Sequence, residues 1–280
     1  MFAPLPSRAL IAVTGEDWRA FLQGQLTQDV SSLGLDEARF AALLTPQGRL
    51  LFDMFIIGRE GGCWLDVEAS QRDALIQRLT LYRLRAKVEF APDPSSISAL
   101  FTAHPDASRD PSGASGWAPA SAGVSGLWVA DPRAPELGWR GYGVEKPEAE
   151  LTNEMVYDRH RLTLGAPGPA DWGSDRTYPI EANFDLLNGI DFRKGCFVGQ
   201  ETTSRMKRRG AIKNRMLPVT FEGPPPPFGT EVLKGELRAG EILSGQDGIA
   251  MALLRLDRLD GDLTADGRKI RVARPTYALS

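Results

Sequence analysis

The sequence predicts an α+β fold, and three of its features lead to this prediction. Short apolar segments that read as strands occur beside segments that present one apolar helical face. Neighbouring strand segments are joined by short turns rather than by repeated strand–helix crossovers, which favours mixed or antiparallel sheets. Towards the C-terminus, glycines separate short apolar segments whose spacing is typical of a small antiparallel β-barrel.

The composition is that of a soluble globular protein without a disulfide or zinc scaffold. Of its 280 residues, 42% are hydrophobic and 25% are charged, and the formal charge of -3 argues against nucleic-acid binding over the whole surface. Cys63, Cys196, His104 and His160 have no zinc-ligand spacing. Because we find neither a targeting pattern nor an apolar run of about 20 residues, we expect a cytoplasmic protein without a membrane partner.

The first elements are a strand, a helix and a hairpin. Residues 9–13 are a short apolar run that reads as a strand, and around residues 18–22 three large apolar side chains share one helical face. The apolar segments 40–44 and 50–57 flank Thr45-Pro46-Gln47-Gly48, which is a β-hairpin signal.

The chain then returns to the sheet and leaves it through a polar loop. Residues 63–67 read as a strand, and Ser70 is placed to cap a helix that reaches Tyr82. A strand at 86–90 closes this part. Residues 107–125 are rich in Gly, Ala, Ser and Pro, so we expect a surface loop there.

The remaining elements are two helices and the barrel. We expect helices at 148–161 and 201–209, the second ending at Gly210, with no continuation through the Gly/Pro-rich residues 165–173. Pro224–Pro227 form a stiff connector. The predicted barrel strands are 231–233, 241–244, 249–254 and 269–272. The expected domains are a body at residues 1–215 and a barrel at 216–280.

Cys196 is the strongest candidate for a functional residue. It lies in Lys194-Gly195-Cys196-Phe197-Val198-Gly199-Gln200-Glu201, where two glycines allow positive φ on either side of the thiol. Basic neighbours and a following helix N-terminus favour the thiolate, which attacks electrophiles or ligates metal. A lone cysteine is more often a small buried hydrophobe, and Cys63 is read that way because Cys63-Trp64-Leu65 looks like a core strand.

The motif at residues 194–201 resembles the signature of the YgfZ-like proteins, a folate-binding branch of the glycine-cleavage T-protein (GcvT) superfamily. The resemblance extends over residues 21–30, 43–53 and 202–210, whereas residues 91–150 carry little of it. It implies a GcvT-like body of mixed and antiparallel sheets that binds tetrahydrofolate. It further implies a role in iron–sulfur cluster assembly or repair, in particular of four-iron four-sulfur enzymes, including those that modify tRNA.

The resemblance also implies roles for individual residues. Cys196 would act on a cluster, a sulfur species or a folate adduct, and Lys194 would stabilise its thiolate. The residues that would shape the loop or contact a ligand from the helix are Gly195, Gly199, Gln200, Glu201 and Arg205. The candidate folate contacts are Asp53, Glu181 and, more weakly, Glu68. Two cysteines argue against a permanently bound cluster, which usually takes four protein ligands, so partners would be iron–sulfur assembly proteins or client enzymes.

Two other functions remain open at this stage. An aminomethyltransferase on the same fold would have paired carboxylates in the first hairpin, but this sequence has Phe52 before Asp53. A phenyl ring cannot stabilise a developing positive charge as a carboxylate does, so we expect no such activity. A tRNA-binding factor is suggested by eight basic residues between Arg193 and Arg215 against the single acid Glu201. No aromatic residue follows Phe197 there to stack on bases. The same cluster could instead hold the polyglutamate tail of a folate, dock an acidic partner or form a solvated surface, which is the default for a run of charges.

Overall fold

The computed structural model of the protein describes residues 1–102, 126–210, 212–275 and 277. Contacts divide the chain into two compact units, each built from separate stretches. Unit 1 comprises Met1–Leu44, Phe52–Tyr157 and Asn188–Val198, and unit 2 comprises Thr45–Leu51, Asp158–Leu187 and Gly199–Ser280. The division at residue 215 stays a prediction, and the loop expected at 107–125 lies outside the described residues.

Strands outnumber helices along the described chain. The strands are β1 (Phe2–Pro4), β2 (Arg8–Thr14), β3 (Ala38–Leu44), β4 (Leu50–Arg59), β5 (Gly62–Glu68), β6 (Glu89–Asp93), β7 (Ile97–Leu100), β8 (Leu127–Ala130), β9 (Trp139–Tyr142), β10 (Asn214–Thr220), β11 (Glu231–Lys234), β12 (Leu237–Gln246), β13 (Ile249–Arg255), β14 (Leu263–Ala265) and β15 (Arg268–Val272). The α-helices are α1 (Trp18–Gln25), α2 (Arg72–Arg83), α3 (Glu154–Thr163), α4 (Pro169–Trp172) and α5 (Gln200–Arg209).

Unit 1 contains two sheets. A five-stranded sheet has the order β3-β4-β5-β2-β6, and a four-stranded sheet has the order β1-β7-β9-β8. Because side chains alternate along a strand, one face of the five-stranded sheet is apolar: Ile11 and Val13 of β2 and Leu65 of β5 pack there with Leu22 of α1 and Leu75 of α2. The opposite face carries the polar groups described below.

Unit 2 contains a closed barrel in the order β10-β13-β12-β11-β14-β15. Inward-facing residues such as Val219, Ile242, Ala252 and Ile270 form its core. Closure leaves no free strand edge in the barrel. The α+β class, the mixed and antiparallel sheets and the C-terminal barrel are therefore confirmed.

Three sequence-based boundaries are wrong, each for a local reason. Ser70 does not cap α2, because residues Ala69–Gln71 form a 3-10 turn and the helix begins at Arg72. The strand expected at 86–90 is displaced to Glu89–Asp93, where it pairs with β2. The helix expected at 148–161 begins at Glu154 because the preceding backbone pairs with β1: Phe2 N–H donates to the Glu150 carbonyl and Thr152 N–H to that of Phe2.

Candidate functional site

Cys196 lies exposed in the thiol loop, which we define as residues Asp191 to Val198 of unit 1. Gly195 has φ +96° in the left-handed region, and a Cβ there would meet no atom within 4 Å. The glycine is therefore required by the backbone conformation rather than by close packing. Phe197, on the other side of the thiol, is 7% exposed and anchors the loop in the apolar interior.

Thr27, just after α1, holds the start of the thiol loop. Its hydroxyl donates to the Gly189 carbonyl at 2.6 Å and accepts from Ala42 N–H at 2.8 Å, and its carbonyl accepts from Asp191 N–H at 3.0 Å. Near the other end, Val198 N–H donates to the Gly24 carbonyl at 3.3 Å. The backbone is thus fixed on both sides of Cys196.

Gln23 of α1 connects the thiol loop to the turn after the helix. Its amide nitrogen donates to the Lys194 carbonyl at 3.2 Å and to Asp29 Oδ1 at 2.9 Å, and its amide oxygen accepts from Val30 N–H at 2.6 Å. Burial raises the pKa of Asp29, but hydrogen bonds from Ser32, Arg39 and Gln23 outweigh it and hold that pKa well below its ordinary value.

Lys194 points its ammonium group at the C-terminal end of α1. Nζ donates to the carbonyls of Gln23 at 2.6 Å and Leu26 at 2.5 Å, and it lies 5.3 Å from the centre of the Phe197 ring. A cation there satisfies carbonyls that the helix leaves unpaired and complements its dipole. Burial lowers the pKa of Lys194 to about 8, while Asp29 and Asp191 act in the opposite direction. The contacts of Lys194 anchor the loop; its expected effect on the thiolate stays a prediction.

Helix α5 carries the rest of the motif in unit 2. Gly199 caps its start with φ +80° and Gly210 its end with φ +61°, which confirms Gly210 as the stop. Gly48 lies so close to this first turn that a Cβ on it would approach Thr202 Cβ to 2.9 Å and the Gly199 carbonyl oxygen to 3.0 Å. The expected hairpin turn and the cysteine motif therefore meet at α5, where Glu201 is exposed.

The basic residues between Arg193 and Arg215 are not a uniform cationic face. Arg215 forms a two-pronged pair with Asp185, both contacts at 2.9 Å, and Lys207 Nζ lies 3.9 Å from the same carboxylate. Lys194 is engaged with backbone carbonyls. Arg205 and Arg208 are exposed on α5. Lys194, Lys207 and Arg215 of the predicted cationic run therefore use their charge in contacts within the protein.

Asp53 lies on the polar face of the five-stranded sheet and is 5% exposed. Its Oδ2 is 3.5 Å from Arg8 Nη1, whereas its Oδ1 has no hydrogen-bond partner among the described residues. A buried carboxylate oxygen normally accepts a hydrogen bond. Phe52 packs on the opposite, apolar face of the sheet, so the strand presents a single carboxylate at this point.

Asp66 is the centre of a buried ionic network beside Asp53. Its carboxylate accepts from Arg8 Nε at 2.7 Å, Arg140 Nη2 at 2.7 Å and the Tyr142 hydroxyl at 3.0 Å. Burial raises the pKa of Asp66, but Arg140 and Arg8 outweigh it and lower that pKa. Since Arg140 and Tyr142 belong to β9 and Asp66 to β5, these contacts join the two sheets of unit 1.

Phe55 provides an aromatic platform for the same cations. The guanidinium groups of Arg140, Arg133 and Arg8 lie 4.0, 5.0 and 5.6 Å from its ring centre. Arg133 is paired with buried Asp131 at 2.8 Å. The charges of the network are therefore compensated internally. Among the described residues, the buried Oδ1 atom of Asp53 is the acceptor of this network that has no hydrogen-bond partner.

Glu181 and Glu68 have different surroundings from Asp53. Glu181 is half-buried; its oxygens accept from Tyr178 N–H at 3.2 Å and Asn214 Nδ2 at 3.1 Å, which ties its turn to the start of β10. Glu68 is half-buried at the end of β5, opposite Arg8 in the strand register. Asp53 and Glu68 belong to unit 1 and Glu181 to unit 2.

Sequence reasoning missed most of the groups that support these residues. Gln23 and Thr27 lie within the segment that resembles the family. Their residue types alone do not predict their hydrogen bonds to the Lys194 and Gly189 carbonyls. Asp66 did leave a signal, because a carboxylate inside the apolar strand Cys63-Trp64-Leu65-Asp66-Val67 needs a buried partner. Cys63 is 2% exposed in the core cluster, as expected for a structural cysteine, and burial raises its pKa.

The described residues contain neither a metal-site cluster nor a membrane-spanning helix. Within those ranges, no three His, Cys, Asp or Glu side chains come together as a metal site. Nor does any helix of the described chain have the length and apolar character to cross a membrane.

Comparison with solved structures gives the fold. The structure matches the glycine cleavage system aminomethyltransferase T from Bartonella henselae with a TM-score of 0.74, over 99% of this chain and 85% of that one. Sequence identity is 15%, so this similarity shows a common fold alone. The family model described as the CAF17 C-terminal beta-barrel domain matches residues 213–279, which include the barrel.

Comparison with known sequences gives the family. Iron-sulfur cluster assembly factor IBA57, mitochondrial, from Homo sapiens is 31% identical over 96% of this chain and 82% of its own length. The IBA57 homolog of Pyricularia oryzae is 33% identical over 95% and 74%. Both names place these relatives in mitochondria, so the expected cytoplasmic location is wrong. The chain belongs to the IBA57 family of iron–sulfur cluster assembly factors.

Proposed function

We propose that the protein assists the assembly or repair of iron–sulfur clusters in a folate-dependent manner, with Cys196 as the residue that acts on the cluster. The names of its relatives support the assembly role. The resemblance to YgfZ-like proteins supports four-iron four-sulfur enzymes as clients, including those that modify tRNA. The partners are then assembly proteins or these client enzymes.

The observation that carries the proposal is the exposed thiol of Cys196 on an anchored loop. A thiolate there can donate a lone pair to an iron atom of a passing cluster without a change of oxidation state, after its proton has gone to solvent. Because clusters usually take four protein ligands, a single thiol would hold its cargo only briefly. The remaining ligands would come from the donor or the recipient protein.

Asp53 supports the folate part of the proposal. Tetrahydrofolate carries one-carbon units on its ring nitrogens and presents several N–H donors. Oδ1 of Asp53 is a buried acceptor without a partner in the described residues, and a charged acceptor in a dry site makes a strong hydrogen bond to such a donor. Asp53 is therefore suited to accept a hydrogen bond from tetrahydrofolate.

Glu181 and Glu68 are secondary in this proposal. Each oxygen of Glu181 already accepts one hydrogen bond from the protein; a carboxylate oxygen can accept a second. Glu181 would contact a pterin ring only while keeping its turn in place, and Glu68 would act from the end of β5.

Titration with tetrahydrofolate tests the folate part. We expect saturable binding by the wild type and at least tenfold weaker binding by Asp53→Asn, which retains the shape of the side chain but loses its charge. The control is Asp73→Asn on α2, where the side chain is 86% exposed. Thermal unfolding of each variant shows whether it is folded. The folate proposal would be wrong if the wild type showed no saturable binding, or if Asp53→Asn bound tetrahydrofolate as tightly as the wild type.

Two assays separate the alternatives. We expect no glycine- and lipoyl-dependent methylene transfer, because Phe52 occupies the position of the first carboxylate and packs on the apolar face. We expect a gel shift with tRNA to disappear at moderate salt, since several cations of the basic run are engaged internally and the rest offer charge attraction alone.

A further inference from the structure

Strand β15 of the barrel borders two adjoining depressions. One has a volume of about 430 Å³ and the other about 550 Å³, and both are lined by Lys269 and Arg271. We call this pair of depressions the β15 cleft. Lys269 and Arg271 are exposed and Ile270 between them is buried in the barrel, so alternation directs both cations outward on one face.

The β15 cleft has an excess of positive charge. Arg268 donates to the carbonyls of Glu222 and Pro224, and Lys269 pairs with Asp262 at 2.5 Å. The side chains of Arg271 and Arg274, by contrast, make no hydrogen bond or ion pair with any residue that the structure describes, and both residues are exposed. Two guanidinium groups are therefore available to an anionic ligand.

Apolar side chains complete the lining of the β15 cleft. Leu259, Leu263 and Val272 border the depression that contains Arg274. Phe221 borders the other, but Arg268 covers its ring at 5.6 Å. The lining therefore offers apolar contacts together with charge, and its aromatic ring is not free to stack on a nucleic-acid base.

We propose that the β15 cleft binds an acidic, extended peptide segment of a partner protein. Outward side chains two residues apart on a strand are separated by about 7 Å. The same spacing separates alternate carboxylates of an extended chain, so one carboxylate would pair with Arg271 and the alternate one with Lys269, whose ion pair with Asp262 is solvent-exposed and therefore weak. Since a closed barrel has no free edge, recognition is by side chains rather than by strand addition. This surface goes beyond the proposed function and uses neither Cys196 nor Asp53.

The test measures binding of the full-length protein to a fluorescein-labelled peptide of alternating glutamate and alanine. A peptide with glutamine in place of glutamate and an oligouridylate of equal charge are the comparison probes. We expect the glutamate peptide to bind by fluorescence anisotropy, the glutamine peptide not to bind, and the oligouridylate to bind more weakly. Affinity should fall as salt is raised, because the contacts are ionic.

Two double variants show whether the β15 cleft is responsible. Arg271→Ala/Arg274→Ala should weaken peptide binding at least tenfold. Arg255→Ala/Arg258→Ala removes the same charge from barrel residues outside the cleft and should change it less than twofold. Equal losses in the two variants, tighter binding of the oligouridylate, or no binding of the glutamate peptide would each overturn the proposal. Circular dichroism confirms that each variant is folded.

Discussion

Asp66 neutralises two buried guanidinium groups of unit 1. It compensates Arg8 and Arg140, and both guanidinium groups are buried. Removing one partner of a buried pair leaves the other charge without compensation, which costs about 3–5 kcal/mol. We therefore expect Asp66→Asn to lower the free energy of unfolding by that amount in urea titration at pH 7. Asp73→Asn, at an exposed position, should change it by less than about 0.5 kcal/mol; similar losses in both would contradict the account.

Asp29 makes stability depend on pH in a known direction. Its pKa in the folded protein lies below the ordinary value of 3.8, so its contribution is complete above that value and is lost as the pH falls through the folded pKa. We expect Asp29→Asn to cost about 1.5 kcal/mol at neutral pH. The difference from the wild type should shrink as the pH falls below about 4. A difference that stays constant over this range would show that charge is not its source.

Single residues differ in how far the sequence reveals them. Cys196 and Asp53 could be selected in advance, because a motif and a resemblance point to them. The ion pair of Asp66 with Arg140 could not, since it joins strands 74 residues apart, and only the packing of the two sheets brings them together. Lys194 was selected for its charge beside the thiol, but its charge is used on the carbonyls of α1.

Among the elements, the hairpin turn at Gly48 and the start of α5 depend on each other. Gly48→Ala and Gly61→Ala both place a side chain at positive φ, +83° and +70°, in hairpin turns. Each should cost about 1–2 kcal/mol for the left-handed backbone. Gly48→Ala should cost about 1 kcal/mol more, because its Cβ meets Thr202 and Gly199 whereas that of Gly61 meets nothing within 4 Å. Equal losses of unfolding free energy would show that this contact is unimportant.

The elements that sequence patterns predicted well are those whose boundaries are set locally. The first hairpin, the strand with Cys63 and the helix that ends at Gly210 have turn or cap residues of their own. The elements that were missed or displaced take their boundaries from partners. Strand β6 follows its register with β2, and α3 starts late because the backbone before it pairs with β1. No local propensity contains that information.

For the whole molecule, the fold class and the family were accessible from the sequence and the location was not. The α+β class follows from the mixture of strand-like and helical segments and from turn chemistry, and the barrel from short segments separated by glycines. The mitochondrial names of the relatives contradict the cytoplasmic expectation, which rested on N-terminal composition. The cellular compartment of a protein depends on how its chain is sorted, and it cannot be inferred from the residues of the core or of the candidate site.

Rescue of cells that lack their own IBA57 protein tests the central claim most directly. The wild type, Cys196→Ala and the control Cys63→Ala are each expressed there, and the activity of a four-iron four-sulfur enzyme is measured. Because the Cys196 thiol is exposed, its removal should leave the melting temperature unchanged. We predict that Cys196→Ala abolishes rescue while Cys63→Ala retains it. Full rescue by a normally folded Cys196→Ala protein would show that the thiol does not act on the cluster.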